Sequence, residues 1–153
     1  MAWNFVQRRR VNFAETDLAG IMHFANFFRW MEETEHAFYR SLGLSVHPSQ
    51  HGGAEIQVGW PRVSVRCDFH APLLFEEEAE VELFVAEMRT KAIRYRFCIR
   101  KGDAARTVAA TGDVTVVAVG AAPGTREMKA VPIPDAFRSR ITTAPPGMLP
   151  TLP

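Results

Sequence analysis

The sequence has very little cysteine, since only Cys67 and Cys98 occur among its 153 residues. The two are far apart and form no Cys-x-x-Cys pair, so neither a disulfide framework nor a zinc site is supported. We expect two partly buried thiols in a reducing compartment and no metal ion. A chain of this length buries roughly two-thirds of the surface that its unfolded form exposes, so it needs no cross-link to fold.

Long apolar runs and an excess of one charge are also missing. No run approaches the roughly 20 apolar residues that span a bilayer. The three arginines at positions 8–10 are not followed by the apolar stretch of a secretory signal. Lysine plus arginine number 18 and aspartate plus glutamate 17, a net charge of +1, which argues against general nucleic-acid binding. We therefore expect a soluble, cytoplasmic protein with neither a nucleic-acid nor a membrane partner.

The strongest periodicity lies in residues 26–42 and predicts one long helix. At 100° per residue its apolar positions share one broad face: Phe27, Trp30, Met31, Thr34, Ala37, Phe38 and Leu42. A face this wide must be wrapped by another element. Asn26 is predicted to cap the start of the helix and Gly43 to end it. Glu35 points toward the apolar side, so it must be paired, protonated or at the edge.

Alternating patterns predict one strand before the helix and four after it. The first covers residues 5–13, and the later ones lie near 63–70, 78–85, 93–100 and 108–119, with turns at 71–72, 89–91 and 102–103. An antiparallel sheet covered on one face by a long helix is an α+β arrangement. We expect a single domain at residues 1–140 and a proline-rich, disordered tail at residues 141–153.

The segment between the first strand and the helix carries a motif. The run FAETDLAGIMHFANF at residues 13–27 resembles the signature of the 4-hydroxybenzoyl-CoA thioesterase family, with a reactive aspartate followed three residues later by a glycine. The resemblance resumes at residues 68–72, 89–91 and 130–134, and it covers most of residues 5–137. It implies the hotdog fold, a curved antiparallel sheet of about five strands wrapped around one long helix. It also implies homodimers, often joined as homotetramers, with active sites at the subunit interface.

By this resemblance the protein is an acyl-CoA thioesterase in which Asp17 is the catalytic residue. A thioester has an activated acyl carbon and a leaving thiol with a pKa of about 8.5, so a strong general acid is dispensable. The reaction needs a carboxylate that attacks or activates water, and N–H donors for the developing oxyanion. The first helix amides, at residues 24–27, are the candidate donors, and Gly20 lets the loop fold back toward them.

Other residues of the motif have expected roles near the substrate. Phe24 is expected to act through its backbone. His23 either orients the acyl carbonyl or a water, or packs against the helix start. Asn26 has a supporting role besides capping the helix. The nearby acid Glu15 is expected to lie at a solvated strand end.

Two cations in a predicted tight turn suit a phosphorylated ligand. By resemblance, Arg89 and Lys91 lie where the family holds the phosphates of coenzyme A, and two cations on one turn fit that role. Arg126 and Lys129 are weaker candidates of the same kind. No cofactor is expected, because coenzyme A is part of the substrate.

Two other functions remain open from the sequence. Hydratases and dehydratases of acyl thioesters on the same fold use a histidine near a helix start, but here His23-Phe24 is followed by Ala25 rather than proline. The second open function is that of a non-catalytic acyl-CoA-binding protein. Such a protein is expected to carry, besides this domain, a segment that binds DNA or a protein partner. The acyl group itself is undetermined, either aromatic or of short to medium chain, and it could be carried by coenzyme A or by an acyl-carrier protein.

Overall fold

The computed structural model of the chain describes residues 1–47, 58–121 and 127–151. Arg126, one of the candidate phosphate-binding cations, lies outside the described residues. Lys129 is described, is exposed and pairs with Glu127 at 3.6 Å.

One long helix and a five-stranded antiparallel sheet make up most of the described domain. The elements follow in the order β1 (Asn4–Arg10), a 3-10 turn (Phe13–Glu15), α1 (Phe24–Ser41), β2 (Val58–Gly59), β3 (Arg62–Phe69), β4 (Glu78–Met88), β5 (Ala92–Lys101), β6 (Val108–Val117), β7 (Val119–Ala121), β8 (Met128–Ala130) and α2 (Asp135–Arg138). The main sheet has the order β1-β4-β5-β6-β3, and β2, β7 and β8 form a small second sheet. The predicted hotdog fold is confirmed, whereas the small sheet was not foreseen.

Helix α1 is wrapped by the main sheet along its apolar face. The helix residues buried in this way are Phe27, Trp30, Met31, Thr34, Glu35, Phe38 and Tyr39. The helix approaches the sheet closely at Gly112 on β6, where a Cβ atom would lie 2.5 Å from Cε of Met31 and 2.7 Å from the carbonyl oxygen of Arg66. The absence of a side chain at residue 112 therefore sets how near the helix lies to the sheet.

The outer face of the sheet carries a network of ion pairs instead of a second apolar layer. Glu80 pairs with Arg8 at 3.3 Å and with Arg106 at 2.6 Å. Glu82 pairs with Arg106 at 2.9 Å and with Arg100 at 3.0 Å. Ion pairs at a solvated surface contribute little to stability, because water screens them. The network keeps this face polar and solvated, which leaves the helix side of the sheet for apolar contacts.

Two predicted strands differ in extent from those observed. The first was predicted to reach residue 13 but ends at Arg10, because Asn12 begins a capping box that opens the 3-10 turn. The strand predicted at residues 108–119 is interrupted at Ala118, whose N–H donates to the carbonyl of Lys91 at 2.8 Å. The chain leaves the main sheet there and enters the small one.

The chain beyond residue 140 returns to the sheet. Ile141 is buried and forms a parallel bridge with Ala2. The N–H of Ala144 donates to the carbonyl of Val85 at 2.8 Å. These contacts involve residues 141–144, which follow the domain boundary predicted at residue 140. The first proline of this segment is Pro145. The proline-rich composition behind the predicted tail therefore does not describe residues 141–144.

Candidate functional site

Helix α1 begins at Phe24 because His23 caps its N-terminus. Nδ1 of His23 accepts the N–H of Ala25 at 3.2 Å, and its carbonyl accepts the N–H of Asn26 at 2.9 Å. The prediction that Asn26 caps the helix was wrong, since Asn26 lies inside it and its Nδ2 donates to the carbonyl of Glu15 at 2.8 Å. The N–H of Phe24, by contrast, has no acceptor among the described residues.

Glu15 holds the loop that precedes the helix. Its Oε1 accepts the indole N–H of Trp30 at 2.7 Å, and its Oε2 accepts the N–H of Asn12 at 2.8 Å. Its backbone carbonyl accepts the N–H of His23 at 2.8 Å in addition to the bond from Asn26. With 17% of its side chain exposed, Glu15 is not the solvated acid that was predicted. It ties the loop to the helix.

Asp17 lies in the tight turn that follows Glu15. Its N–H donates to the carbonyl of Ile21 at 2.9 Å and its carbonyl accepts the N–H of Gly20 at 3.0 Å. Gly20 closes this turn with a φ of +78°, a backbone conformation that favours glycine. Oδ1 of Asp17 accepts the N–H of Ala19 at 2.8 Å. Within the described ranges, no side chain bonds Oδ2 and no cation pairs with this carboxylate.

A pocket of about 510 Å³ opens in front of Asp17. Its wall is mainly apolar and aromatic and includes Ile21, Met22, Phe24, Phe27, Phe69 and His70, with the proline turn at residues 71–72. Phe27 and Phe69 pack edge to face with ring centroids 5.1 Å apart. The pocket lies at the amino end of α1, where the aligned peptide dipoles favour negative charge. Asp17 and Phe24 therefore line the same pocket, whereas Gly20, His23 and Asn26 are not among its wall residues.

His70 is a pocket residue that the site predictions missed. It follows the last residue of β3, and its Nε2 lies 3.0 Å from Oγ1 of the buried Thr111 on β6. Among the described wall residues, only Asp17 and His70 carry ionisable side chains. The position of His70 next to a proline turn at the end of an alternating strand is the signal that could have found it.

The predicted phosphate-binding cations lie in the exposed turn between β4 and β5. Nε of Arg89 donates to Oε1 of Glu87 at 2.7 Å, and Lys91 is exposed without an acidic partner among the described residues. Arg138 of α2 adds a third cation, because its Nη2 donates to the carbonyls of Arg89 and Thr90 at 3.0 Å each. Sequence reasoning missed Arg138, since α2 has only four residues and no periodicity.

Glu35 is a second carboxylate of unusual environment. It is 1% exposed, and its Oε2 accepts an N–H of Arg62 Nη2 at 3.0 Å, while Oε1 has no hydrogen-bond partner among the described residues. Arg62 also contacts Glu32 at 3.1 Å. Burial raises the pKa of Glu35 to about 7 despite the attraction of Arg62. Of the three states expected for Glu35, namely paired, protonated or at the edge, the ion pair with Arg62 shows the first. Glu35 does not line the pocket.

Other kinds of site find little support in the described part of the chain. Cys67 and Cys98 are free thiols, and burial raises the pKa of Cys67 to about 12 and also raises that of Cys98. Within residues 1–47, 58–121 and 127–151, no group of three or more His, Cys, Asp and Glu side chains is arranged to hold a metal ion. The helices of these ranges are too short or too polar to cross a membrane.

Known proteins resemble this chain in both sequence and structure. Residues 11–141 match the model of the thioesterase-like superfamily. A protein from Aquifex aeolicus (strain VF5) that carries an esterase name without a substrate is 33% identical over 101 residues, which are 66% of this chain and 76% of that protein. A 1,4-dihydroxy-2-naphthoyl-CoA hydrolase from Prochlorococcus marinus (strain NATL1A) is 29% identical over 97 residues. That alignment covers 61% of this chain and 65% of the hydrolase, slightly under two-thirds of its length.

A solved structure supports the same assignment of the fold. The structure of a gentisyl-coenzyme A thioesterase superposes with a TM-score of 0.73 at 28% identity, and the alignment covers 88% of this chain and 99% of that one. The range matched by the superfamily model includes Asp17, helix α1 and the proline turn of the pocket.

Proposed function

Since this chain belongs to the thioesterase-like superfamily, we propose that it hydrolyses an acyl-coenzyme A thioester to the free acid and coenzyme A. Membership confirms the family resemblance seen at residues 13–27. The observation that carries the proposal is Asp17, a carboxylate without a cationic partner among the described residues, at an apolar pocket beside the start of a helix.

Asp17 supplies the carboxylate that thioester hydrolysis needs. Its Oδ2 is free either to attack the acyl carbon or to accept a proton from an attacking water. The N–H of Phe24 is the best candidate for the oxyanion donor, because the amides of Ala25 and Asn26 are already bonded to His23. One such donor stabilises a transition state by roughly 3–4 kcal/mol. His23 and Asn26 support the site by fixing the helix start.

The acyl group is proposed to be a hydroxylated aromatic one. Two of the similar proteins are named for the substrates gentisyl-CoA and 1,4-dihydroxy-2-naphthoyl-CoA. Both acyl rings carry hydroxyl groups ortho and meta to the acyl carbon, so the two share one substitution pattern. The aromatic wall formed by Phe24, Phe27 and Phe69 and the pocket volume of about 510 Å³ support an acyl group of this size.

The phosphates of coenzyme A are proposed to bind at the turn between β4 and β5. Lys91 is exposed and unpaired within the described ranges, and Arg89 lies two residues before it. Arg138 stabilises the turn by donating hydrogen bonds to the carbonyls of Arg89 and Thr90. Three cations around one tight turn suit a multiply charged phosphate ligand.

The protein is proposed to act as a homodimer, or as a tetramer built from two such dimers, through the edge strand β3. A free sheet edge presents unpaired backbone groups, and on β3 it is accompanied by Val63, Val65 and Phe69, which are 61%, 44% and 50% exposed. The opposite edge, β1, carries three arginines at positions 8–10, which deter pairing. Sedimentation velocity should give a dimer or tetramer for the unmodified protein and a smaller species for Val65→Lys, and a monomer in both would contradict the proposal.

The alternative reading as a hydratase relies on a histidine near a helix start. His23 is the candidate at the helix start, but its Nδ1 accepts a helix amide and its ring does not line the pocket. A cytoplasmic location stays a prediction; the two free thiols support it.

A hydrolysis screen tests the proposed function. Thiol release would be followed for benzoyl-CoA, 4-hydroxybenzoyl-CoA, gentisyl-CoA, 1,4-dihydroxy-2-naphthoyl-CoA, acetyl-CoA and hexanoyl-CoA. We expect the hydroxylated aromatic thioesters to give the highest kcat/KM, at or above about 10⁴ M⁻¹s⁻¹. Tight binding without thiol release would favour a non-catalytic acyl-CoA-binding protein. Loss of the conjugated absorbance of an enoyl-CoA without thiol release would favour a hydratase.

A further inference from the structure

His70 is held in the pocket by contacts on both its backbone and its ring. Its N–H donates to the carbonyl of Ala109 at 2.8 Å, which fixes the backbone at the end of β3. Its ring is fixed by the 3.0 Å bond between Nε2 and Oγ1 of Thr111. Thr111 is 2% exposed and lies on β6, which is paired on both sides with β5 and β3, so this anchor is part of the rigid scaffold.

The bond to Thr111 determines which ring nitrogen of His70 carries the proton. The Thr111 hydroxyl is buried and has no partner other than His70 among the described residues. A buried hydroxyl that donates to nothing is costly, so it donates to Nε2. A neutral imidazole that accepts at Nε2 carries its proton at Nδ1. His70 therefore presents an N–H donor at Nδ1 that is not bonded to any described residue.

This donor is distinctive within the pocket. The other described wall side chains are apolar, and Asp17, when ionised, can only accept hydrogen bonds. In an apolar pocket, a few fixed polar groups determine which ligand binds and how it is oriented. The leaving thiolate does not need a strong acid, so the donor is better suited to recognising the acyl group than to protonating the sulfur.

We propose that His70 is the specificity-determining residue of the acyl pocket and recognises a ring hydroxyl by donating its Nδ1–H to the hydroxyl oxygen. Thr111 is the positioning residue that holds the ring in this state. The inference rests on the proposed acyl-CoA hydrolysis and names the chemical group that the pocket selects.

The experiment compares substrates that differ by one hydroxyl. The ratio of kcat/KM for 2-, 3- and 4-hydroxybenzoyl-CoA and gentisyl-CoA to that for benzoyl-CoA would be measured in each protein. In the unmodified protein, at least one hydroxylated thioester should be preferred by roughly 3- to 10-fold, the range of one neutral hydrogen bond.

Two isosteric variants separate the nitrogens of His70. Asparagine places an amide near the position of Nδ1, whereas glutamine places it near Nε2. His70→Gln should therefore reduce the preference to about one, and His70→Asn should retain most of it. Thr111→Val should weaken the preference, and Thr111→Ser, which restores the hydroxyl, should recover it.

Several results would overturn the role of His70. These are an unmodified protein that does not distinguish hydroxylated from plain benzoyl-CoA, an equal preference in the glutamine and asparagine variants, or a uniform loss of kcat for all substrates. A protein that releases no thiol from any of these thioesters would contradict the proposed function instead. Calorimetric affinities for the same ligands would then decide whether His70 selects the hydroxyl.

Discussion

Two carboxylates associated with helix α1 occupy opposite environments. Glu35, in the second half of the helix, is 1% exposed and bonded to Arg62, and it faces the core. Asp17, just before the helix, lines an open pocket, uses one oxygen to bond its own turn and pairs with no cation in the described ranges. The difference indicates that Glu35 acts on the stability of the fold, whereas Asp17 is available for chemistry. Substituting each acid in turn tests this division.

The largest expected effect is on turnover in Asp17→Asn. The amide keeps the size of the side chain but can neither attack nor accept a proton, so kcat should fall by about 10²- to 10⁴-fold. The midpoint of thermal unfolding should change little, because Asp17 makes no ion pair with the described residues. Thiol release and thermal unfolding would be measured side by side.

The matched control is Glu35→Gln, which removes one carboxylate without altering the pocket wall. It should keep kcat near that of the unmodified protein. Comparable losses of kcat in the two variants would show that Asp17 contributes only negative charge, which would contradict its catalytic role.

The second-largest effect is expected on the pH dependence of stability, and Glu35 causes it. Burial raises its pKa to about 7 from an ordinary value of 4.5, so between these values the folded protein holds a proton that the unfolded chain has lost. The contribution of this bound proton to the free energy of unfolding is therefore fully present below pH 4.5, and it is lost as the pH rises through about 7. At 1.36 kcal/mol per pKa unit, the loss is about 3 kcal/mol.

Urea unfolding of the unmodified protein and of Glu35→Gln across this pH range measures that loss. Because glutamine does not titrate, the stability of the unmodified protein relative to the variant should fall by about 3 kcal/mol as the pH rises from 4.5 to about 8. Parallel pH profiles would mean that Glu35 does not change its charge in the folded state.

The sequence foretold the helix, the five-stranded sheet and the apolar surroundings of Glu35, because each depends on burial patterns that repeat along the chain. It also placed Asp17, through the family motif, but could not describe its surroundings. Glu15 looked solvated because its bond to Trp30 joins residues 15 positions apart. His70 was missed because Thr111, which holds its ring, is 41 residues away on another strand. Contacts between residues that are distant in sequence produce no local periodicity, so the sequence pattern does not predict them.

A third effect concerns the packing of α1 on the sheet, which supports both carboxylates. Gly112→Ala would place a Cβ atom 2.5 Å from Cε of Met31 and 2.7 Å from a backbone oxygen that cannot move aside. Overpacking of this kind should lower the free energy of unfolding by about 1–3 kcal/mol, as urea titration would show. An unchanged midpoint would mean that the helix can shift away from β6 without cost.

The smallest effect on stability is expected at Gly20, in the turn that carries Asp17. Its φ of +78° is strained for alanine, although nothing lies within 4 Å of the new Cβ, so Gly20→Ala should cost about 1 kcal/mol. Gly43, which ends the helix at a φ of +68° with equally open space, provides a control with the same backbone strain away from the pocket. Both variants should lose similar stability in urea, but only Gly20→Ala should also lose kcat, by roughly 5-fold or more, because the strain displaces the Asp17 turn. If Gly43→Ala lost as much kcat, or Gly20→Ala lost none, the conformation of that turn would not be what positions the carboxylate.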